Sequence, residues 1–469
     1  MDPLRWSTLL HGWNLEPGVR YRQLAQALQR AIQDGRLAGQ ERLPAERELA
    51  SLLGISRSTV VTGYDLLALE GWLERRQGSG TRVTAAAPRA HPVLTLRTPV
   101  QAATAPPGEL DLTIAVPSLT EAHRRRLQAA LGSAFEESRY HPLGLPALRV
   151  CLADHYTRQG VPTRPEQIII TSGAQQAIAL IAQTFLNAGD RALLETPTYF
   201  GAIDVFRAAG AELQGLPVGP DGVAPHALEA GLQGQPRLVF LTPTFQNPTG
   251  TVMPASVRRE VAALLDRAGV PTIEDETLSE LDLDRPAPPP VASHTPEGPV
   301  ISVGSLSKLF WAGLRVGWLR SPERYLAPLS QAKTLSDFGT SLPAQAIALD
   351  LLRQLPALRE ERRALVRPAR DTLVTLLREQ LPDWAFLVPE GGQFLWVELP
   401  TDSATRFTLT ARRAGIRLFP GASMGVTPLP DRSLRLPFTL PPEHLPEAVG
   451  RLRRAWAWHL AEDRAGPLA

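Results

Sequence analysis

The chain has 469 residues, 43% of them hydrophobic, and a formal net charge of only +2. That length implies two or three domains with ample core, and the near-neutral balance leaves any nucleic-acid contact to a local basic patch. The single cysteine, Cys151, excludes an intrachain disulfide and argues against a cysteine-based metal site; no metal is expected.

The opening "MDPLRWSTLLHGW" is too short and interrupted for a signal peptide, and no apolar run is long enough to span a membrane. A cytoplasmic protein without a membrane partner is expected. From Tyr21 the stretch "YRQLAQALQRAIQDG" places Leu24, Ala27, Leu28, Ala31 and Ile32 on one helical face, stopped by Gly35. "LPAERELASLLG" predicts a short helix entered through Pro44. "ISRSTVVTGYDLLALEG" predicts a third, with Ser56 as N-cap and Gly54 in the intervening turn. "WLERRQGSGTRVT" reads as two short strands around a Gly-Ser-Gly turn. Helix, helix-turn-helix and hairpin together make a winged helix.

The second helix of such a motif enters the major groove with its N-terminal residues at the base edges. Here it opens Ser56, Arg57, Ser58, Thr59. The hydroxyls and the helix N-terminus suit phosphate oxygens, and Arg57 has the fork geometry for guanine O6 and N7. Arg47 on the preceding helix is placed for backbone or base. Arg75 and Arg76, with the Gly78–Gly80 turn, are expected to form a basic wing tip.

Residues 85–109, "AAAPRAHPVLTLRTPVQAATAPPGE", are rich in Ala and Pro and read as a semi-rigid linker. It divides a segment 1–84 from a segment 110–469. The latter alternates short apolar strands ("QIIIT", "RALLE", "RLVFLT", "PVISVG") with helical stretches such as "AQQAIALIAQTFL" and "ASVRREVAALLDRAG". That is the α/β pattern of a parallel sheet with crossover helices. From about residue 340, helices with the strands "QFLWVEL" and "SLRLPF" predict a smaller α+β subdomain.

The chain holds only two lysines, Lys308 and Lys333, among many arginines. An amine can lose its proton and attack a carbonyl, whereas a guanidinium cannot. Lys308 follows a strand and a Ser-Leu-Ser turn, with Arg315 seven residues on. A pyridoxal phosphate site needs an amine for the Schiff base, an anion cradle, an acid for the pyridine nitrogen and a flat group against the ring. Ser305, Ser307 and Arg315 stand beside the lysine. "TSGAQQAIAL" offers the free N–H groups of Ala174 and Gln175 at a helix start. Asp275 in "IEDE" can meet the ring nitrogen, Tyr199 in "ETPTYFG" the ring face, and Asn247 in "QNPTG" the phenolic oxygen. Lys333 has no such context and reads as a surface residue.

The front segment, above all "LPAERELA", "LGISRSTV" and "RQGSGTRV", resembles the GntR-type winged helix. The resemblance implies that Arg47, Ser56, Arg57, Ser58, Thr59 and Gly78 contact operator DNA. Val61 departs from members with another DNA-contacting arginine there. From about residue 110 the motifs "TSGAQQA", "PTY", "QNPTG", "ED", "SLSK" and "GLRVGW" resemble, in order, fold-type I aminotransferases of the class I/II branch. That likeness implies pyridoxal phosphate on Lys308, a substrate or effector carboxylate held by Arg435 in "SLRLPF", and a partner-subunit tyrosine near the phosphate, for which Tyr140 is the candidate. Thr277 stands where the family usually has a ring-contacting tyrosine, and its shorter side chain leaves Asn247 as the main direct donor.

The whole layout resembles the MocR/GabR-type transcription regulators. It implies a homodimer, with exchanged DNA-binding domains, that binds operator DNA and senses an amino acid, an amine or a vitamer through a Schiff base at Lys308. An active aminotransferase with an accessory DNA-binding domain is the alternative. A DNA-binding protein with an inert second domain is disfavoured by the complete set of cofactor residues.

Overall fold

The computed structural model describes residues 3–10, 12–13, 19–33, 36–69, 71–76, 80–84, 108–117, 119–130 and 139–464. They fall into two compact units, one within residues 1–95 and 456–469 and the other within 96–455. No helix among the described residues is long and apolar enough to cross a membrane.

In the front unit, helices Arg20–Gln33, Glu46–Leu53 and Arg57–Leu69 precede an antiparallel hairpin of Leu73–Arg76 with Gly80–Val83. The spacing of Leu24, Leu28, Ala31 and Ile32 turns those residues inward, where they meet Leu49, Val60, Tyr64, Leu67, Trp72 and Val83. A short helix, Pro3–Leu9, was not foreseen; Trp6 on it is buried in the same core. Gly54 ends the second helix at φ +63°, and its N–H returns to Ala50 O. That left-handed cap favours glycine because the positive φ strains any residue with a Cβ, although the space beside it is open.

The larger unit is built on an eight-stranded sheet. Its order is Ile168–Thr171, Gly317–Arg320, Val300–Ser305, Thr272–Asp275, Leu238–Leu241, Arg191–Thr196, Glu212–Gly219, Gly222–Val223. Strands from Val300–Ser305 to Glu212–Gly219 run parallel. Both faces are covered, so neighbours such as Leu193 and Leu194, or Val239 and Phe240, enter opposite cores. The sheet is mixed rather than parallel throughout: Gly317–Arg320 is antiparallel to both of its neighbours. Only residues 306–316 join it to Val300–Ser305. That is short for the crossover a parallel pair requires, so the chain reverses, and the reversed loop carries Lys308.

After helix Leu355–Gln380, strands Ala385–Phe386, Phe394–Glu398, Ser433–Pro437 and Phe419–Pro420 form a four-stranded antiparallel sheet. Leu110–Asp111 pairs in parallel with Ile416–Arg417 of this region; the expected linker lies, up to residue 107, outside the described residues.

Candidate functional site

The parallel strands deliver their carboxyl ends to one place, the usual site of ligand binding in α/β sheets. Asp275 ends one strand and Ser305 ends the next; Tyr199 and Asn247 follow the ends of two others.

Lys308 is half-buried and its Nζ donates to Ala115 O at 2.8 Å. Desolvation pushes the amine down to about 8; the nearby Arg435 and Arg315 charges act the same way and Asp275 opposes them. The backbone around it is fixed from behind. Gln393 Nε2 donates to Lys308 O at 3.0 Å, and buried Arg362 donates to Leu309 O and Phe310 O. Asp275 is buried, which raises its carboxyl, while hydrogen bonds from Thr277 and the charge of Lys308 restrain the rise. The Thr277 N–H donates to Asp275 Oδ1 at 2.9 Å, so Thr277 is engaged in holding the aspartate.

Beside this pair, the turn before helix Ala174–Phe185 is packed against the loop after Lys308. Gly173 has φ +90°, and a Cβ there would lie 2.5 Å from Arg315 Nη2. A Cβ on Gly317 would lie 2.6 Å from the Gly173 carbonyl carbon. Arg315 itself is left-handed, with φ +52°, and its Nη2 donates to Ser172 O at 2.8 Å. Ser305 Oγ bridges Ser307 Oγ at 2.9 Å and Val316 O at 3.1 Å. Two hydroxyls and one guanidinium thus lie on a loop packed against the turn that opens helix Ala174–Phe185, whose first N–H groups, on Ala174 and Gln175, are free of intrahelical partners.

Tyr199 donates its hydroxyl to Gln175 Oε1 at 2.9 Å. Burial pushes its phenol up to about 12; Asp275 adds to the rise, and Arg435 and Arg315 oppose it. Gln246 links the loops carrying Tyr199 and Asn247: its Nε2 donates to Glu195 Oε2 at 3.0 Å and Pro197 O at 2.8 Å, and its Oε1 accepts from Thr249 N–H at 3.0 Å.

Arg435 is buried within strand Ser433–Pro437, and burial pushes it down to about 10. It donates to Asn247 Oδ1 at 3.3 Å and to Thr113 O, and its Nε has no partner among the described residues. The rings of Phe394, Phe419 and Phe200 surround the guanidinium at 4.5, 5.1 and 5.2 Å. Three separate segments supply these rings, so no local pattern announced the cage. Thr113 and Ala115 were also missed, because they act through backbone carbonyls.

Two expectations need correction. Lys333 is not a surface residue: its side chain is 0% exposed and paired with Asp337 one helical turn on. Helix Glu323–Asp337 packs that face against helix Ala174–Phe185, and a lysine buried there requires an anionic partner. Arg75 does not reach out from the wing. Its guanidinium lies 3.0 Å from Asp65 and 3.7 Å from Glu46, where it braces the second and third helices. Tyr140, the candidate for a partner subunit's phosphate, is 83% exposed, with its ring edge against Phe338.

In the front unit, Arg47, Arg57 and Ser58 are exposed, and Ser56 and Thr59 half-exposed. Thr59 N–H donates to Ser56 Oγ at 3.1 Å, the cap foreseen for this helix. The same Oγ lies 2.8 Å from Ser58 Oγ and from Thr59 Oγ1. Gly78 lies in 77–79, outside the described residues.

Residues 20–83 match the bacterial regulatory proteins of the gntR family, and residues 107–452 match aminotransferase class I and II. The uncharacterized HTH-type transcriptional regulator YisV of Bacillus subtilis (strain 168) is 32% identical over 80% of this chain and 83% of its own. The probable rhizopine catabolism regulatory protein MocR of Rhizobium meliloti is 31% identical over 78% of each chain. Among solved structures, LysN, the α-aminoadipate aminotransferase of Thermus thermophilus complexed with N-(5'-phosphopyridoxyl)-L-leucine, superposes with a TM-score of 0.70. It is 30% identical and covers 76% of this chain and 94% of that one. The cofactor of this fold family is pyridoxal phosphate. The residues present fit it: glycines 173 and 317 leave no room for side chains at the turn, Asp275 is a buried carboxyl at a strand end, and Arg435 keeps a buried N–H that has no partner among the described residues. A gntR-family helix-turn-helix followed in one chain by an aminotransferase class I and II domain places this protein in the MocR-type family of transcriptional regulators.

Proposed function

We propose that the protein is a transcription regulator whose winged helix, within residues 1–84, reads an operator, and whose domain 110–469 senses a small amine-bearing ligand through pyridoxal phosphate at Lys308. Residues 85–109 join the two, and the smaller subdomain begins near residue 340. The carrying observation is the conjunction, around one half-buried amine brought down to about 8, of Asp275 and the buried Arg435 guanidinium.

Bound pyridoxal phosphate supplies an aldehyde carbon with which an amine condenses by loss of water. Lys308 offers that amine with its proton loosened toward neutral pH. Asp275, whose carboxyl is raised by burial and restrained by Thr277 and the Lys308 charge, is the acid that would share a proton with the ring nitrogen. Asn247 has Oδ1 committed to Arg435, which leaves its Nδ2 as the donor that would serve the phenolic oxygen. Ser305, Ser307, Arg315 and the N–H groups of Ala174 and Gln175 bind the phosphate, and Tyr199 covers the ring. Arg435 takes the carboxylate of an amino-acid effector; an amine or a vitamer would engage the remaining groups. Exposed Arg47, Arg57 and Ser58, with Ser56, Thr59 and Gly78, contact operator DNA. The exposed Tyr140, Phe338 and Leu335 support a homodimer in which Tyr140 faces the partner's phosphate. Exchange of DNA-binding domains between protomers and a cytoplasmic location complete the reading.

The test is a spectral titration with candidate amines, with and without operator DNA. Coupled sites obey reciprocity, and a coupling of about 1–3 kcal/mol shifts either affinity roughly five- to 150-fold. A ligand whose affinity ignores operator DNA is not the effector. The intact Lys308, Asp275 and Arg435 set also favours a second reading, amino-group transfer. Multiple turnovers with a keto-acid acceptor, in the absence of DNA, would establish it.

A further inference from the structure

We propose that Lys333, the second lysine of the chain, is a positioning residue for the phosphate cradle; this rests on the cofactor reading above. Its buried ammonium pairs with Asp337 Oδ1. The other oxygen, Asp337 Oδ2, accepts from Gln176 Nε2 at 2.8 Å. Gln176 Oε1 accepts from Ser172 N–H at 2.7 Å, and Ser172 O accepts from Arg315 Nη2 at 2.8 Å. The relay therefore runs from a buried charge to both sides of the cradle: the Ser172–Gly173 turn that opens helix Ala174–Phe185, and the guanidinium beside Lys308. A buried ammonium is held in one place by its need for a carboxylate. It fixes Asp337, which sets the amide of Gln176, which sets the turn. The ring-facing groups, Asp275 and Asn247, lie outside this relay, so its loss falls on the phosphate.

The test compares uptake of pyridoxal phosphate with uptake of pyridoxal, which lacks the phosphate, by borohydride trapping on the full chain. Lys333→Met and Gln176→Leu are expected to reduce the preference for the phosphorylated form about two- to tenfold, the range of one lost hydrogen bond, with pyridoxal uptake held. Gln176→Leu serves even where Lys333→Met fails to fold. Variants that keep the wild-type preference, or lose both ligands equally, overturn the relay alone. Wild type that takes up neither ligand overturns the cofactor reading and the relay with it.

Residues 108–117 meet the same site from the linker side. Leu110 N–H and Leu112 N–H donate to Gly415 O and Arg417 O, both at 2.9 Å. Asp111 Oδ1 accepts from Thr113 N–H at 2.8 Å, and Asp111 lies 3.4 Å from Arg417. The next two contacts are the ones already met: Thr113 O on Arg435 and Ala115 O on Lys308. We infer that this strap is an intrachain competitor of cofactor and effector. A Lys308 bonded to cofactor has no free ammonium for Ala115. A carboxylate on Arg435 outbids the neutral carbonyl of Thr113, because charge-assisted bonds are the stronger.

Hydrogen exchange over 108–117 in the full-length protein, before and after pyridoxal phosphate, tests this. Loading is expected to speed exchange at Leu110, Leu112 and Thr113. Asp111→Ala is expected to speed it without cofactor and to raise cofactor affinity about two- to tenfold. Cofactor uptake with unchanged exchange, or unchanged affinity in Asp111→Ala, overturns the strap and leaves the cofactor reading standing. Absence of uptake by wild type overturns both.

Discussion

The Arg435 guanidinium donates to Asn247 Oδ1 at 3.3 Å, joining strand Ser433–Pro437 of the smaller sheet to the loop that follows Leu238–Leu241 in the larger. One bond thus orients two groups. It aims the Asn247 amide nitrogen away from the arginine, and it leaves Arg435 Nε, buried and without a partner among the described residues, as a donor for a ligand. The phenyl rings of Phe200, Phe394 and Phe419 stiffen the guanidinium by contact with its faces.

Arg435→Ala is therefore expected to weaken carboxylate-bearing amines about ten- to 100-fold, the range of a lost charged hydrogen bond. An amine without a carboxylate should bind as before, and pyridoxal phosphate should stay attached. Arg435→Lys should recover little, since a point charge cannot reproduce the planar fork. Titration of paired ligands with and without the carboxylate reads this directly. Equal loss for both would show that Arg435 supports the fold of the site and does not hold the ligand.

The rate of cofactor attachment should carry the signature of the Lys308 amine. Only the neutral amine attacks, and with the group at about 8 roughly a tenth is neutral at pH 7 and about nine-tenths at pH 9. The second-order rate is expected to rise about tenfold over that interval and then level off. An unshifted lysine would still be gaining about five- to sevenfold per pH unit around pH 9.5. Stopped-flow absorbance across pH 6.5–10 separates the two curves; continued rise above pH 9 would refute the depressed amine.

Much of this site was legible in the sequence. Lys308 stood out because an amine is rare in this arginine-rich chain and sits after a strand and a hydroxyl-bearing turn. Asp275, Tyr199 and Asn247 were legible for a related reason: each follows a short apolar strand, and strand ends are where parallel sheets present side chains. What stayed hidden depends on contacts far apart in sequence. Lys333 and Asp337 show the spacing of a helical ion pair, but only the packing of their helix tells that the lysine is inside. Arg75 carries the same charge at a wing tip or against Asp65, and its sequence neighbours do not choose between them. The reversed strand Gly317–Arg320 reads as apolar in either direction. Thr113 and Ala115 contribute oxygen atoms that every residue possesses.

Gly173→Ala is expected to damage the phosphate cradle. The position has φ +90° and ψ 167°, a region essentially confined to glycine and costing other residues about 1–3 kcal/mol. The new methyl would also press on Arg315 Nη2. Thermal stability should fall and the affinity for pyridoxal phosphate should fall more than that for pyridoxal. A variant with wild-type stability and wild-type cofactor preference would show that the turn is not held as described.

Arg57→Ala tests the DNA-reading surface separately. Arg57 is exposed at the first turn of helix Arg57–Leu69, next to the Ser56 cap, and no ion pair holds it among the described residues. Arg75, by contrast, is tied to Asp65 and Glu46. Loss of one bidentate guanine contact costs about 1–3 kcal/mol of discrimination, so the ratio of operator to random-sequence affinity should fall about five- to 150-fold. Binding to random DNA should fall far less, because phosphate contacts carry that term. Both affinities are measured at one salt concentration, since either alone varies steeply with salt. The visible absorbance of the loaded protein should be unchanged, because Arg57 and Lys308 belong to separate compact units. If the operator-to-random ratio holds while both affinities drop together, Arg57 contacts phosphate, and base reading passes to Arg47.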